Sequence, residues 1–225
     1  MGGLIPLGDA SRRPSRGAVI TILIIVANAA VFFLELQGGD RFVWAWSAKP
    51  IQIVAGHHWI TLLTSMFMHG GWMHLIGNML FLWVFGRNVE DLIGGPRFLA
   101  FYLLGGIAAG VVHVIVNAYS RLPTIGASGA IAAVMGAYLV KFPRSRIVTL
   151  IFIFFFVTTA EIPAAFILLY WFAIQFISGV GSLASTDYTG GGVAWFAHIG
   201  GFLIGMLLIR VFPAKQRWRA WYEED

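Results

Sequence analysis

The stretch that decides the fold is SGAIAAVMGAYLVKF, residues 128–142, which follows Gly126 and Ala127. Its only charged residue, Lys141, lies near its end, so the stretch is apolar enough to enter a bilayer. As a helix, 15 residues extend about 22 Å, which is less than a hydrocarbon core of about 30 Å. A helix that starts at Ser128 therefore has its first turn inside the membrane.

This position gives Ser128 unusual surroundings. Backbone at such a depth must line protein or a water-filled cavity, because lipid offers no hydrogen bonds. The start of a helix also directs unpaired N–H groups and positive dipole charge toward the serine, where an oxyanion would be stabilised. Ser128 is therefore a candidate nucleophile, although a serine among glycine and alanine is also a common packing residue in membrane helices.

The composition indicates a membrane protein throughout. Of the 225 residues, 59% are hydrophobic and 11% are charged, and the mean hydropathy of +0.81 is far above that of soluble domains. The absence of cysteine excludes disulfides, thiolate metal sites and a cysteine nucleophile. The net charge of +5 comes from small clusters beside apolar segments, so it does not predict a nucleic-acid surface.

Six apolar segments are candidate membrane spans, which predicts an all-α, polytopic bundle in one domain, residues 18–212. The flanking residues 1–17 and 213–225 are predicted to be cytoplasmic tails. A cleaved signal peptide is an alternative for the first segment, because Ala27-Asn28-Ala29 resembles a cleavage site, but the apolar run continues beyond it and favours a retained anchor. The six predicted spans are 18–36, 73–93, 98–118, 128–142, 162–183 and 193–212.

The distribution of Lys and Arg predicts the orientation. With a cytoplasmic amino terminus, twelve of the 15 basic residues fall in inner loops or tails, as the positive-inside rule requires. The inner set is Arg12, Arg13, Arg16, Arg87, Arg97, Lys141, Arg144, Arg146, Arg210, Lys215, Arg217 and Arg219, and the outer set is Arg41, Lys49 and Arg121. The sequence thus predicts two cytoplasmic termini in a prokaryotic cell membrane.

Three connecting segments have distinct compositions. Residues 37–72 form a long first outer loop that contains four Trp residues and is expected to lie in the outer interface. Residues 148–159 are rich in Phe and are predicted to be a buried or interfacial piece on the cytoplasmic side. Residues 181–192 are polar and glycine-rich, as is typical of a flexible outer loop.

Three polar residues are predicted to lie at one depth. His74 precedes Arg87 by 13 residues, Ser128 precedes Lys141 by 13, and His198 precedes the inner Arg210 by 12. At 1.5 Å per residue, each lies about 18–20 Å above the cytoplasmic edge. This places all three about 10 Å below the outer boundary of a core of roughly 30 Å.

This common depth predicts a catalytic group. His198 is a candidate general base for Ser128. Asn78 follows His74 by four positions, so both project from one helix face and can donate hydrogen bonds to an oxyanion. Packing and catalysis are compatible here, since glycines on the fourth and sixth spans allow those helices to approach closely. These glycines are Gly126, Gly129, Gly201 and Gly205.

The other polar residues receive structural interpretations. His57 and His58 are expected in the outer loop, His69 is expected to help close that loop, and His113 has no evident partner. A structural charge cluster is predicted at the inner turn between the second and third spans, and Glu161 is a weaker functional candidate. The predicted cluster contains Glu90, Asp91 and Arg97.

At these residues the sequence resembles the rhomboid family of intramembrane serine proteases. The three blocks occur in family order, and with the spans around them the resemblance covers residues 18–212. The blocks are Met68-His69-Gly70-Gly71-Trp72-Met73-His74-Leu75-Ile76-Gly77-Asn78-Met79, Gly126-Ala127-Ser128-Gly129-Ala130, and Ala197-His198-Ile199-Gly200-Gly201 with Gly205.

The resemblance implies a six-helix rhomboid-like bundle with a Ser128/His198 dyad and an oxyanion site made by His74 and Asn78. It also implies that membrane-anchored proteins are cleaved in or near a transmembrane segment, without metal or organic cofactor. Two features differ from some family members. The first outer loop reads Trp59-Ile60-Thr61 instead of carrying a Trp-Arg pair, and Ala132 replaces an aromatic residue that stacks on the histidine, so another residue is expected to pack there.

Two other functions are compatible with a polar layer in a membrane bundle. One is a catalytically silent rhomboid-like protein that binds membrane clients, but such relatives typically lack the serine or the histidine. The other is a transporter or proton channel, for which the sequence offers no convincing inverted repeat. A membrane metalloprotease is disfavoured because no His-Glu-x-x-His motif occurs.

Overall fold

The computed structural model describes residues 4–11, 17–153, 156–184 and 193–215, and helices dominate this part of the chain. A short 3₁₀ turn, Ser65–Phe67, precedes α4, and a π-helical turn, Leu82–Gly86, joins α4 to α5. In chain order the helices are α1 (Val19–Trp46), α2 (Pro50–Val54), α3 (Thr61–Thr64), α4 (Trp72–Phe81), α5 (Arg87–Ile93), α6 (Gly95–Val116), α7 (Ser128–Lys141), α8 (Ala164–Ala184) and α9 (Trp195–Leu208).

Three of these helices are long and apolar enough to cross a membrane. They are α1, α6 and α8, with mean hydropathies of 2.5, 2.2 and 1.8 over their most apolar windows. Both α7 and α9 are apolar but contain only 14 residues each, about 21 Å of helix. The second predicted span corresponds to α4, the π-helical turn and α5 taken together, so its helical geometry is not uniform.

Helix bounds agree with the predicted spans in most places. The fourth helix starts at Ser128, as predicted. The third, fifth and sixth agree within four residues at each end. The first helix continues ten residues beyond the predicted end, to Trp46, and kinks at Gly39, where φ is 58°. Residues 185–192 of the predicted outer loop lie outside the described residues, and its first residues belong to α8.

A small antiparallel sheet shows that the all-α prediction was wrong in one region. Its strands are β1 (Leu4–Asp9), β2 (Arg146–Ile153) and β3 (Phe156–Pro163), in the order β1-β2-β3. The strands β2 and β3 are rich in β-branched and aromatic residues, which favour strands over helices. The predicted amino-terminal tail therefore contributes a strand, and residues 148–159, which were predicted to be a buried or interfacial piece, lie mainly in two strands.

Asp9, at the end of β1, connects the sheet to the helices. Its carboxylate is buried and accepts hydrogen bonds from Asn88 Nδ2 at 3.0 Å, from Ser11 N at 2.9 Å, and from the Tyr138 hydroxyl. Asn88 belongs to α5 and Tyr138 to α7. The sheet is thus held against α5 and α7 by hydrogen bonds to one buried acid.

Glu90, a member of the predicted charge cluster, caps another helix. Its carboxylate accepts hydrogen bonds from the first-turn N–H groups of Ile20 at 3.0 Å and Thr21 at 2.8 Å, and from Thr21 Oγ1 at 2.7 Å. A carboxylate at this position satisfies unpaired N–H groups and complements the helix dipole. Arg97 donates instead to the carbonyl of Pro213 at 3.4 Å. Glu90 thus has a structural contact, as the sequence predicted for the cluster.

The core of the bundle is centred on α7. All residues from Gly129 to Tyr138 are buried, and a helix that is apolar on every side is typical of an interior position. Large side chains fill the space around it, among them Phe85, Phe98 and Tyr102, each fully buried. The helix that begins at Ser128 is therefore enclosed by the others.

The closest packing in the bundle is between α7 and α9, where glycines bring the two backbones into contact. A Cβ atom built on Gly201 would lie 2.2 Å from the carbonyl oxygen of Gly129, and one on Gly205 would lie 2.0 Å from that of Ala133. A Cβ on Gly136 would lie 2.1 Å from the carbonyl oxygen of Phe202. No side chain fits at these positions unless the helices separate.

We expect Gly205→Ala to destabilise the protein by about 1–3 kcal/mol, because the added methyl group overlaps backbone that cannot rotate away. The matched control is Gly77→Ala on α4, where an added Cβ meets nothing within 4 Å. Thermal unfolding of both variants in mild detergent measures the difference. Equal melting temperatures for the two would contradict the backbone contact between α7 and α9.

Candidate active site

The serine and histidine singled out by the sequence lie in hydrogen-bond contact. Ser128 is the first residue of α7, and His198 lies in the first turn of α9. The distance from Ser128 Oγ to His198 Nε2 is 2.7 Å. The histidine is buried, with 8% of its surface exposed, whereas the serine is half-buried. This arrangement can transfer a proton from the hydroxyl to the ring.

The backbone before α7 directs Ser128 toward the site. The N–H of Gly126 donates to the carbonyl of Ser65 at 2.9 Å, which ties this segment to the 3₁₀ turn before α4. Gly126 has a φ of +131°, a conformation that favours glycine. A Cβ there would also lie 3.0 Å from His74 Cε1. Both the backbone conformation and the close approach of His74 thus require glycine.

His74 lies beside Ser128 with its Nε2 toward the same space. A Cβ built on Gly126 would lie 3.1 Å from His74 Nε2 and 3.5 Å from Ser128 Oγ, so both atoms border one small volume. The N–H of Gly70 donates to His74 Nδ1 at 3.3 Å. Since Nδ1 accepts, the proton of the neutral ring is on Nε2. His74 therefore presents an N–H donor next to the serine.

Asn78 lies one turn after His74 on α4 and is buried, with 9% of its surface exposed. Its Nδ2 is buried and has no hydrogen-bond partner among the described residues. Buried polar groups in native proteins are almost always paired, and an exception calls for an explanation. An amide of this kind is suited to donate to an oxygen that arrives with a bound molecule.

The His198 ring has two further neighbours on α8 that the sequence reasoning missed. Gln175 Oε1 on α8 lies 2.7 Å from His198 Nδ1. The Trp171 ring, one turn earlier, lies 5.8 Å from the His198 ring between centroids, at an interplanar angle of 38°. Trp171 therefore packs against the histidine in this chain, where Ala132 is too small to do so. The sequence signal that could have identified Gln175 is a polar residue within an apolar span.

A small cavity of about 40 Å³ adjoins Ser128 on the side of α6. Its polar lining includes Ser65, His113 and Thr124, and His113 Nε2 lies 3.2 Å from Thr124 Oγ1. A space of this size with several polar groups in its wall is sufficient for water. His113, for which the sequence suggested no partner, thus lines the cavity next to Ser128.

The remaining histidines and Glu161 lie apart from the Ser128–His198 contact. The N–H of His69 donates to Glu35 on α1 at 2.9 Å, which ties the backbone just before α4 to that helix. Burial, with a smaller contribution from His74, lowers the pKa of His69 to about 4, so its ring is neutral near pH 7. His57 and His58 are exposed between α2 and α3, and Glu161 is exposed on β3.

Comparisons with known proteins identify relatives that are named as rhomboid proteins. Residues 56–215 match the Rhomboid domain family model. The chain is 38% identical to Rhomboid protease GluP of Bacillus subtilis over 53% of its own length and 24% of that protein. It is 31% identical to yeast Rhomboid protein 1, mitochondrial, over 80% of the chain and 49% of the relative. It is 30% identical to mouse Presenilin-associated rhomboid-like protein, mitochondrial, over 83% and 46%.

These matches cover about half the length of the yeast and mouse relatives, and less of the bacterial one. Two of the three relatives are mitochondrial, so the comparisons do not favour the predicted prokaryotic membrane over a mitochondrial one. The family match agrees with the three membrane-length helices, which identifies an integral membrane protein. From its matched domain and its relatives, the chain belongs to the rhomboid family.

Proposed function

We propose that this chain is an intramembrane serine endopeptidase that cleaves transmembrane segments of membrane-anchored proteins, with Ser128 and His198 as its catalytic dyad. The observation that carries the proposal is the distance of 2.7 Å between Ser128 Oγ and His198 Nε2 at the start of a buried apolar helix. Membership of a family that includes a protein named a rhomboid protease supports it. A polar pair of this kind is energetically costly among apolar helices, and polar residues at such positions usually have a function.

In the proposed first step, Ser128 Oγ attacks the carbonyl carbon of the scissile peptide while His198 Nε2 takes the hydroxyl proton. The resulting tetrahedral intermediate collapses when the C–N bond breaks, and His198 gives the proton to the leaving amine. Water then attacks the acyl-enzyme ester, with His198 as base again, which releases the carboxylate product and restores the Ser128 hydroxyl. The cavity beside Ser128 is suited to hold this water.

His74 and Asn78 are proposed to stabilise the oxyanion. The Nε2–H of His74 borders the same space as Ser128 Oγ, and the buried Nδ2 of Asn78 has no partner among the described residues. Donors that are already oriented toward the developing charge lower the barrier without reorganising during the reaction. Two neutral side chains on one face of α4 would therefore supply what a backbone oxyanion hole supplies in soluble proteases.

The proposed topology has six crossings with both termini in the cytoplasm. It follows the excess of Lys and Arg on the inner side. The crossings are residues 19–36 of α1, residues 73–93, α6, α7, α8 and α9. Residues 37–72 are proposed to lie in the outer interface, in keeping with the exposure of Trp44, Trp46, Trp59 and Trp72. His74 is exposed on the surface of the chain, so a substrate helix could reach the site from the bilayer.

We expect Ser128→Ala and His198→Ala each to reduce cleavage of a single-pass substrate in liposomes by at least about 10³-fold, because nucleophile and base act as one unit. Ser128→Ala should also abolish labelling by a fluorophosphonate probe. The controls are Ser120→Ala and His57→Ala, which change the same residue types away from the site. Wild-type turnover by Ser128→Ala would exclude Ser128 as the nucleophile and with it the serine-protease proposal, whereas a wild type that binds the substrate without cleaving it would leave a client-binding role.

We expect Asn78→Ala to lower kcat by about 10²–10³-fold, the usual effect of losing one oxyanion donor, and to change KM little. This loss should be smaller than that of Ser128→Ala, since His74 still donates. Steady-state kinetics on the same substrate measure both constants. The control is Gln52→Ala on α2, which removes a side-chain amide away from the site. An unchanged kcat would remove Asn78 from the oxyanion site.

A further inference from the structure

We propose that Gln175 is a positioning residue that holds His198 in the tautomer able to act as a base, an inference that rests on the proposed protease function. The observation is that the His198 ring makes two short contacts, one at each of its nitrogens. Gln175 Oε1 lies 2.7 Å from His198 Nδ1, and His198 Nε2 lies 2.7 Å from Ser128 Oγ. The two nitrogens of the histidine thus have different partners on different helices.

The chemistry of these partners determines which nitrogen carries the proton. A carbonyl oxygen can only accept, so the contact with Gln175 requires a proton on His198 Nδ1. A neutral imidazole has one ring proton, which leaves a lone pair on Nε2 toward Ser128. In the other tautomer, Nε2 would carry a proton and could not take one from the serine. The partner of one ring nitrogen therefore decides the role of the other.

The surrounding packing fixes the amide and the ring together. Gln175 is buried, with 7% of its surface exposed, and Trp171 lies one turn earlier on the same face of α8. Trp171 contacts the His198 ring and also the Phe202 ring, 6.1 Å away between centroids, one turn further along α9. Phe172 stacks on Phe202 at 4.8 Å. An aromatic contact and a hydrogen bond from α8 thus restrict the ring.

A neutral hydrogen-bond acceptor is suited to the position beside His198 Nδ1. A carboxylate buried among apolar helices is costly unless it is paired, whereas an amide carries a dipole without a net charge. When His198 takes the serine proton, the carbonyl dipole of Gln175 faces the new positive charge on the ring. The titratable side chains of the described residues that interact electrostatically with His198 are His74 on α4 and His113 on α6, and both are histidines.

A purely structural role for Gln175 makes different predictions. A buried amide can also pack α8 against α9 without influence on the proton of His198. In that case its replacement would lower the melting temperature, and any loss of activity would follow the loss of folded protein. A positioning role instead lowers kcat of the folded enzyme, because Gln175 contacts the base and not the substrate.

The test compares three variants of Gln175 in the full chain in liposomes, beside wild type and Ser128→Ala. Gln175→Met keeps the approximate shape without the acceptor, and Gln175→Asn keeps the amide on a shorter side chain. We expect both to lower kcat about tenfold to a hundredfold with KM within twofold of wild type. Gln175→Glu restores an acceptor at the same reach and is expected to recover most of kcat. Ile177→Met, at an exposed position on α8, is the control.

The rate of fluorophosphonate labelling provides a second measurement, which reports the reactivity of Ser128 without a protein substrate. It should fall in the Met and Asn variants in parallel with kcat. Wild-type kcat in folded Gln175→Met, or an equal loss in the Met and Glu variants, would overturn the positioning role while Ser128→Ala still establishes the protease. If wild type neither cleaves nor labels, the proposed function itself fails, and the role of Gln175 fails with it.

Discussion

The contact between the backbones of α7 and α9 is the constraint on which the rest of the structure depends. Association of apolar helices in a membrane gains little from the hydrophobic effect, so close van der Waals packing between small residues becomes decisive. At Gly136, Gly201 and Gly205, carbonyl oxygens of the facing helix occupy the space where side chains would be. Ser128 and His198 lie near the amino-terminal ends of these helices, so the same packing sets the distance between hydroxyl and imidazole.

Buried acids provide the other fixed points of the fold, and each joins elements distant in sequence. Glu90 accepts from the first turn of α1, Glu35 accepts from the N–H of His69, and Asp9 accepts from Asn88 and Tyr138. Hydrogen bonds to charged groups are stronger than those between neutral groups, particularly where water is scarce. In a chain without cysteine, these contacts tie the ends of the helices and the sheet together.

Sequence reasoning predicted those features that depend on local pattern. The start of α7 at Ser128, most helix bounds and the structural contact of Glu90 follow from apolar runs, spacing and charge. The strand β1 was missed because it pairs with a strand more than 130 residues away, as in Leu4 with Ile151, and no local pattern encodes that pairing. The β2–β3 hairpin has a local signal in its β-branched residues, which was not interpreted as strands. Gln175 and Trp171 were missed for a similar reason, since their importance depends on how α8 is rotated against α9.

The shortness of α7 has a consequence for the products of the proposed reaction. At the predicted depth of the serine, about 10 Å below the outer boundary of the hydrocarbon core, a cleaved substrate helix would be divided unequally, with about seven apolar residues on the outer fragment and roughly twice as many on the inner one. Seven residues are too few to anchor a polypeptide in lipid. In this topology the outer fragment would diffuse away from the bilayer, and the inner one would stay embedded.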